Sequence, residues 1–189
     1  MDDTLAGEVL AFWFGAPPHA ARSEWFRKDA AFDASIRERF GLAIAKALAG
    51  AYGDWCTSAH GSLARVLLLD QFTRNAFRDS PQAFAGDARA LATAEQAIER
   101  GFDATLDACE RWFLYLPFEH SEDMAVQRRS LELFARLALE PDMQGPLDYA
   151  RRHADIVARF GRFPHRNALL GRASSDEERQ FLQQPGSSF

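Results

Sequence analysis

The sequence predicts an all-α protein, and three observations support this fold class. Apolar residues recur at helical spacing in every long segment, no segment alternates apolar and polar residues as a strand would, and glycine, proline and capping residues separate the segments. We expect a layered array of about eight or nine antiparallel helices. The length suits a single domain over residues 1–189, with its core over about 4–172 and a C-terminal helix over about 175–183.

The first half of the chain predicts four helices. The second of them carries an apolar stripe from Phe32 to Ala47 and stops at Gly50. The third is apolar almost all round in its first half, which indicates a buried helix. The four helices are expected over about residues 4–15, 32–50, 62–78 and 88–100.

The second half predicts five more helices. Pro117 should end the first of them, because proline disfavours the helical conformation in the residue before it. A capping box should start the last of them, formed either by Ser174 with Glu177 or by Ser175 with Glu178. The five helices are expected over about residues 106–116, 121–139, 146–160, 164–171 and 175–183.

The composition excludes several classes of function. The chain has 22 basic and 27 acidic residues and a formal net charge of -5, so no overall field attracts it to nucleic acid or to an anionic membrane. No uncharged apolar run approaches the ~18 residues of a membrane span. Cys56 and Cys109 are too few for a disulfide framework or a four-ligand metal site. We therefore predict a cytoplasmic protein without cofactor or metal, and the sequence leaves its oligomeric state open.

Residues 159–172, RFGRFPHRNALLGR, mix charged and apolar residues in a way that neither a surface loop nor a core segment requires. From Arg151 to Arg172 the chain has six arginines and a single acid, Asp155. Arginine suits carboxylate and phosphate because its guanidinium donates two parallel hydrogen bonds. This stretch supplies four candidate ligand-binding residues for a small anion: Arg162, His165, Arg166 and Asn167.

The same arginines have a structural interpretation. They would then fasten the C-terminal segment by pairing with carboxylates of the protein itself, namely Asp70, Glu119 and Glu122. The sequence alone does not separate the two interpretations.

A second polar group lies in the predicted third helix. Asp70 and Arg74 are four residues apart, as are Gln71 and Asn75, so each pair shares a helix face. These side chains could present donors and acceptors to a ligand between helices, and Asp70, Arg74 and Asn75 are candidate ligand-binding residues. Alternatively, Asp70 and Arg74 form an internal ion pair that fixes two helices together.

Glu119, His120 and His153 are the candidate catalytic residues. Glu119 and His120 follow Pro117, where the next helix would offer N–H groups to an anion and His120 could act as acid or base beside Glu119. Glu119 could instead pair with Arg166 or Arg162. His153 shares the apolar face of the seventh helix with Tyr149, and a lone histidine on such a face is more often a core residue than a ligand. A metal site would need the three to converge from separate helices, and the sequence lacks the paired spacing that favours one.

Four longer motifs carry a resemblance to a known family. The chain reads VLAFWFG from residue 9, LLLDQFTRNAFR from residue 67, FLYLPFEHSED from residue 113 and YARRHADIVARFGRFPHRNALLGR from residue 149. Together and in this order they resemble the bacterial family named domain of unknown function 924, over nearly the whole chain. The resemblance implies a helical fold similar to tetratricopeptide repeats, and it implies no activity. One departure is Thr73, which stands where the resemblance implies proline, the residue that would kink the helix.

The leading functional hypothesis joins these groups in one polar pocket, where the third, the fifth to sixth, and the seventh to eighth segments meet. The pocket would bind, or act on, a small anionic metabolite. The alternative is a non-catalytic scaffold whose tetratricopeptide-like surface holds a peptide or a partner protein. An enclosed polar cavity would favour the first hypothesis, and a long open apolar groove would favour the second.

Overall fold

The computed structural model describes residues 3–187, and throughout that range the regular structure is helical. The predicted all-α class is therefore confirmed. The α-helices are α1 (Asp3–Phe14), α2 (Ala30–Leu48), α3 (Ala59–Leu69), α4 (Gln71–Ala76), α5 (Asp87–Glu99), α6 (Ala108–Glu119), α7 (Met124–Leu137), α8 (Gln144–Phe160) and α9 (Asp176–Phe181). Short 3-10 helices span Ser23–Trp25, Gly53–Thr57, Pro81–Phe84, Phe102–Thr105 and Pro164–Arg166. No helix within residues 3–187 is both long enough and apolar enough to cross a membrane.

The chain divides into two compact units. The first contains the chain up to Arg78 together with Gln82–Pro117, and the second contains Asp79–Pro81 and the chain from Phe118 onward. The candidate residues are divided accordingly. Asp70, Arg74 and Asn75 belong to the first unit, whereas the other seven belong to the second.

The first unit is built around α3, which packs against α1, α2 and α5. Leu63, Leu67 and Leu68 are fully buried, which confirms the prediction of a helix that is apolar almost all round. The approach of α5 is close. A Cβ at Gly86, the residue before α5, would lie 2.0 Å from the carbonyl oxygen of Leu69, so this position cannot carry a side chain.

The single helix predicted over about 62–78 is interrupted in the structure. α3 ends at Leu69 and α4 begins at Gln71, with Asp70 between them at φ -109° and ψ -64°. Thr73 provides a physical reason, because its hydroxyl lies 2.9 Å from the carbonyl oxygens of both Leu69 and Asp70. Such side-chain bonds to the preceding turn bend a helix. The interruption is thus present without proline.

α6 continues through Pro117 to Glu119, whereas the sequence predicts that Pro117 ends it. The missing N–H of proline costs the helix one hydrogen bond at this point. Leu116 and Phe118, on either side, are 4% and 3% exposed, so burial of the last turn outweighs that cost. Glu119 is therefore the final residue of a helix, and not part of a loop as predicted.

In the second unit α7 packs against α8. Asp123 caps α7 by accepting hydrogen bonds from the N–H groups of Ala125 and Val126. Tyr149, which the sequence places on the same buried face of α8 as His153, is 52% exposed instead. One buried apolar cluster of this unit consists of Ile156, Val157 and Phe163, with Met124, Phe160 and Phe181 packed against it.

α8 ends and α9 begins close to where the sequence predicts, but the helix predicted between them over about residues 164–171 is only a 3-10 helix, Pro164–Arg166, followed by turns. Gly161 closes α8 in the left-handed conformation, at φ 68°, which glycine adopts without strain. Of the two capping boxes that the sequence allows, Ser175 with Glu178 is the one formed at α9. This places the buried carboxylate of Glu178 beside the arginine-rich stretch.

Candidate functional site

Glu119, His120 and His153 come together in the second unit, and we call them the Glu119 triad. Each offers a ligand atom, and the three atoms lie within 4.8 Å of one another. Glu119 is fixed by the last turn of α6, His120 follows it directly, and His153 projects from the middle of α8. The three candidate catalytic residues of the sequence are therefore neighbours.

The hydrogen bonds of His153 define its tautomer. Nδ1 lies 2.9 Å from the backbone carbonyl oxygen of Tyr149 and 3.0 Å from Oε1 of Glu119. Both partners are acceptors, so Nδ1 carries the proton. In the neutral ring Nε2 is then the basic nitrogen, the atom that can accept a proton or bind a metal ion.

The carboxylate of Glu119 is buried and only partly used. Glu119 is 3% exposed and His153 is 4% exposed. Oε1 of Glu119 faces His153, but Oε2 has no hydrogen-bond partner among residues 3–187. A buried carboxylate oxygen without a donor is costly, because burial removes its water and supplies nothing in exchange.

Gln127 holds the chain segment that carries the triad. It is fully buried on α7, and its Nε2 donates to the carbonyl oxygens of Glu119, at 2.7 Å, and of Ser121, at 2.6 Å. These two carbonyls flank His120. The backbone at Glu119 and His120 is therefore positioned by a side chain from the next helix.

The ring of Phe163, within the arginine-rich stretch, contacts the Glu119 triad through His153. Its centroid is 5.5 Å from the ring of His153 and 5.7 Å from the ring of His165. The guanidinium carbon of Arg166, a residue that is 6% exposed, lies 4.5 Å from the same centroid. A buried cation and two histidines thus surround one aromatic ring.

Glu122 and Arg172 fix the backbone at Phe163. Glu122 Oε1 accepts from the Phe163 N–H at 2.8 Å, and Arg172 donates to both oxygens of Glu122 and to the Phe163 carbonyl oxygen. Burial alone would raise the pKa of Glu122. Its hydrogen bonds from Arg172 and Phe163, with the charges of Arg172 and Arg166, outweigh burial and lower this pKa.

Arg162 is also bound to a carboxylate of the protein. Its Nε and Nη2 donate to the two oxygens of Glu178 at 2.7 and 2.8 Å. This bidentate bond is the main reason that the pKa of Glu178 is lowered to about 2, and the side chain of Asn167 contributes a further hydrogen bond. Asn167 is buried and also donates to Ser174 Oγ at 3.0 Å.

Most of the excess positive charge between residues 151 and 172 is thus paired with carboxylates of the protein itself. Ion pairs with the protein's own carboxylates join Arg151 with Asp148, Arg159 with Glu177, Arg162 with Glu178, and Arg172 with Glu122. These four pairs agree with the structural interpretation of the arginines. Of the three carboxylates expected as their partners, Asp70, Glu119 and Glu122, the pairs include Glu122. Arg152 lies over the ring of Tyr149 on the surface, whereas the buried Arg166 lies over the ring of Phe163 and its charge acts on Glu122.

The candidates of the first unit form an ion-pair network. Arg74 Nη1 lies 2.9 Å from Oδ1 of the fully buried Asp70, and its two terminal nitrogens also bind Asp87. Burial would lower the pKa of Arg74, but the charges of Asp70 and Asp87 outweigh burial and raise it. Asn75 donates to the carbonyl oxygen of Gln71, as their spacing of four residues predicts. This network supports the internal ion pair that the sequence offers as an alternative.

A second histidine and carboxylate group lies in the first unit, and we call His19, Asp107 and Glu110 the capping cluster. Asp107 and Glu110 form a reciprocal capping box at the start of α6, each accepting from the other's backbone N–H. The remaining oxygen of Asp107 lies 2.7 Å from His19, and that of Glu110 lies 3.2 Å from His60. Burial raises the pKa of the adjacent Cys109 thiol, and both acids add to this. Every carboxylate oxygen of the cluster has a partner.

The sequence profile of a family described as "Bacterial protein of unknown function" matches residues 9–186. The chain belongs to this family. The family resemblance read from the four motifs is therefore confirmed. A solved structure of a protein of unknown function from Agrobacterium tumefaciens is similar to this member of the family, with 43% sequence identity and a TM-score of 0.88. The likeness covers 97% of this chain and 99% of that chain. No curated protein matches the present chain.

Two residues that organise this family member's site were missed by the sequence reasoning. Gln127 lies at helical spacing from the buried Phe134 and Leu137 on α7, and a polar amide in such an apolar stripe is the signal that could have revealed it. Glu178 was recognised as a capping residue, but its pairing with Arg162 spans 16 residues and has no local signal. In both cases the side chain holds a neighbour of the triad or of the arginine-rich stretch in place.

Proposed function

We propose that the second unit binds, and acts on, a small anionic metabolite beside the Glu119 triad. The observation that carries this proposal is the burial of Arg166 against Phe163, whose ring also contacts His153. A guanidinium at 6% exposure attracts an anion far more strongly than a surface arginine, because little water screens its charge. His165 and Asn167, on either side of Arg166, supply further polar groups of the candidate site.

Within this proposal the Glu119–His153 pair transfers protons. The Tyr149 carbonyl accepts the Nδ1 proton of His153, so that Nε2 is presented as the base, and the Glu119 carboxylate, 3.0 Å from Nδ1, stabilises the ring when that base is protonated. His120 lies beside the pair, with ring centroids of His120 and His153 6.1 Å apart. This arrangement suits an anionic substrate that has an acidic proton or a hydrolysable bond.

Ligand binding is tested by thermal unfolding and calorimetry with phosphate, nucleotides and small carboxylates at matched ionic strength. A specific ligand at one hundred times its Kd should stabilise the protein by about 2.7 kcal/mol. We expect Arg166→Gln to abolish this effect and its calorimetric signal. Arg152→Gln is the matched control, because Arg152 belongs to the same arginine-rich region but is exposed.

The proposal is contradicted if no anion shifts the unfolding transition beyond the effect of salt. It is also contradicted if Arg152→Gln weakens binding as much as Arg166→Gln does, since that result indicates general charge attraction. Calorimetry on both variants separates lost binding from lost stability, because it measures the heat of binding to folded protein.

The alternative proposal is a tetratricopeptide-like scaffold that binds a peptide. Large exposed apolar side chains favour it within the second unit, where Leu139 is 87% and Tyr149 is 52% exposed. A peptide ligand would lose affinity on Leu139→Ser or Tyr149→Ser and keep it on Arg166→Gln. We also propose a cytoplasmic location, which the free, buried thiols of Cys56 and Cys109 favour; a disulfide between them in freshly purified protein would contradict it.

A further inference from the structure

We propose that the Glu119 triad is a binding site for a divalent transition-metal ion of the Zn²⁺ type. Its three side chains, one carboxylate and two imidazoles, lie within 4.8 Å of one another at their ligand atoms. Two histidines with one carboxylate form a donor set that proteins use for catalytic zinc, with a further coordination position open for water or substrate. This site goes beyond anion binding, and it stands on a separate observation.

That observation is the unused oxygen of Glu119. Oε2 is buried, has no donor among residues 3–187, and belongs to one of the three ligand groups. A bound cation supplies what this oxygen lacks, because coordination replaces the hydrogen bonds that a buried carboxylate loses on leaving water.

The hydrogen bonds of His153 match those of a metal ligand. Its Nδ1 proton is accepted by the Tyr149 carbonyl at 2.9 Å, and in the proposed site Nε2 is the nitrogen that coordinates the ion. Metal-binding histidines usually donate their other ring N–H to a carbonyl or carboxylate, which fixes the ring and increases its basicity. Gln127 adds a second restraint by holding the backbone on both sides of His120.

The donor set also indicates the kind of ion. Imidazole nitrogen favours Zn²⁺, Fe²⁺, Co²⁺ and Ni²⁺ over Mg²⁺ and Ca²⁺, which prefer oxygen ligands. An ion held by three protein ligands would retain an open position, and Arg166 and His153 both lie against the ring of Phe163. While the ion is bound, Nε2 of His153 is its ligand and does not act as the base of the proposed proton transfer.

The experiment is a titration of metal-free protein with Zn²⁺ alone, in competition with a chromophoric chelator. We expect one equivalent to bind at the triad, and NMR should show the ring signals of His120 and His153 shifting. Glu119→Gln and His120→Ala should each weaken binding by ~100-fold or more, because loss of an outer partner alone already costs 10–100-fold. Glu110→Gln is the matched control, since it alters the capping cluster, and it should leave the affinity unchanged.

Three results would overturn the proposal: no stoichiometric Zn²⁺ binding by the wild-type protein, equal binding by Glu119→Gln and the wild type, or binding lost in Glu110→Gln. Circular dichroism of each variant verifies that it is folded before its affinity is compared. Because the titration contains no anionic metabolite, Zn²⁺ binding without anion binding refutes the proposed function alone. Anion binding by a protein that ignores Zn²⁺ refutes the metal site alone.

Discussion

The Glu119 triad and the capping cluster contain the same kinds of side chain but use their carboxylates differently. In the capping cluster both oxygens of Asp107 and both oxygens of Glu110 have partners, and two of these partners belong to the backbone that starts α6. In the triad, Oε2 of Glu119 has none among residues 3–187, although Glu119 is 3% exposed. A carboxylate whose hydrogen bonds are complete is explained by the fold, whereas the incomplete, buried one is the observation behind the proposed metal site.

A buried carboxylate whose partners are complete should lose the most stability when a partner is removed. The largest effect is therefore expected at the Asp70–Arg74 ion pair. Arg74→Ala should lower the free energy of unfolding by about 3–5 kcal/mol, because it leaves the fully buried Asp70 without its guanidinium. Denaturant unfolding measures this loss. Asp70→Asn combined with Arg74→Ala should recover part of it, since the buried charge is then absent.

Arg152→Ala is the control for this measurement, because Arg152 is exposed and its removal should change stability by less than about 0.5 kcal/mol. If Arg74→Ala were as mild as the control, the network around Asp70 would not be structural. Asp70 and Arg74 would then return to the list of ligand-binding residues.

The fold was largely predictable because its signals are local. Apolar spacing, Gly161 and the Ser175–Glu178 capping box each act within one or two turns, and the structure agrees with them. The failures involve tertiary contacts. α6 continues through Pro117 because its last turn is buried, and the helix breaks at Asp70 because Thr73 bonds to the preceding carbonyls.

The candidate site was predictable as a set of residues but not as a set of partners. Glu119, His120 and His153 were each chosen from their residue type, and they are neighbours. Which arginine binds which acid depends on contacts between distant residues, such as Arg172 with Glu122 across 50 positions. The sequence contains no period or motif that encodes such a pairing.

Glu178 sharpens the comparison within the second unit, because it is a buried carboxylate whose oxygens are both used. Its pKa is lowered to about 2, so its bond to Arg162 stabilises the fold above about pH 4.5 and is lost as the pH falls towards 2. Glu178→Gln should therefore cost about 2 kcal/mol at pH 7. The difference from wild type should shrink between pH 5 and pH 2, which denaturant unfolding at several pH values would reveal.

Other carboxylates also titrate in this range, so the quantity of interest is the difference between the two proteins at each pH. A difference that stays constant down to pH 2 would mean that the Glu178 carboxylate does not carry the stabilisation. The capping box should persist in the variant, since glutamine can still accept the Ser175 N–H.

The central claim is that Glu119 is retained for a ligand and not for the fold, and the stability of Glu119→Gln tests it most directly. The amide removes a buried charge while its oxygen can still accept the His153 proton, so we expect unchanged stability or a gain of up to about 1 kcal/mol without ligand. Glu110→Gln, the corresponding change in the capping cluster, should cost about 1 kcal/mol. A loss above about 2 kcal/mol for Glu119→Gln in metal-free protein would show that the triad is structural and would contradict the account.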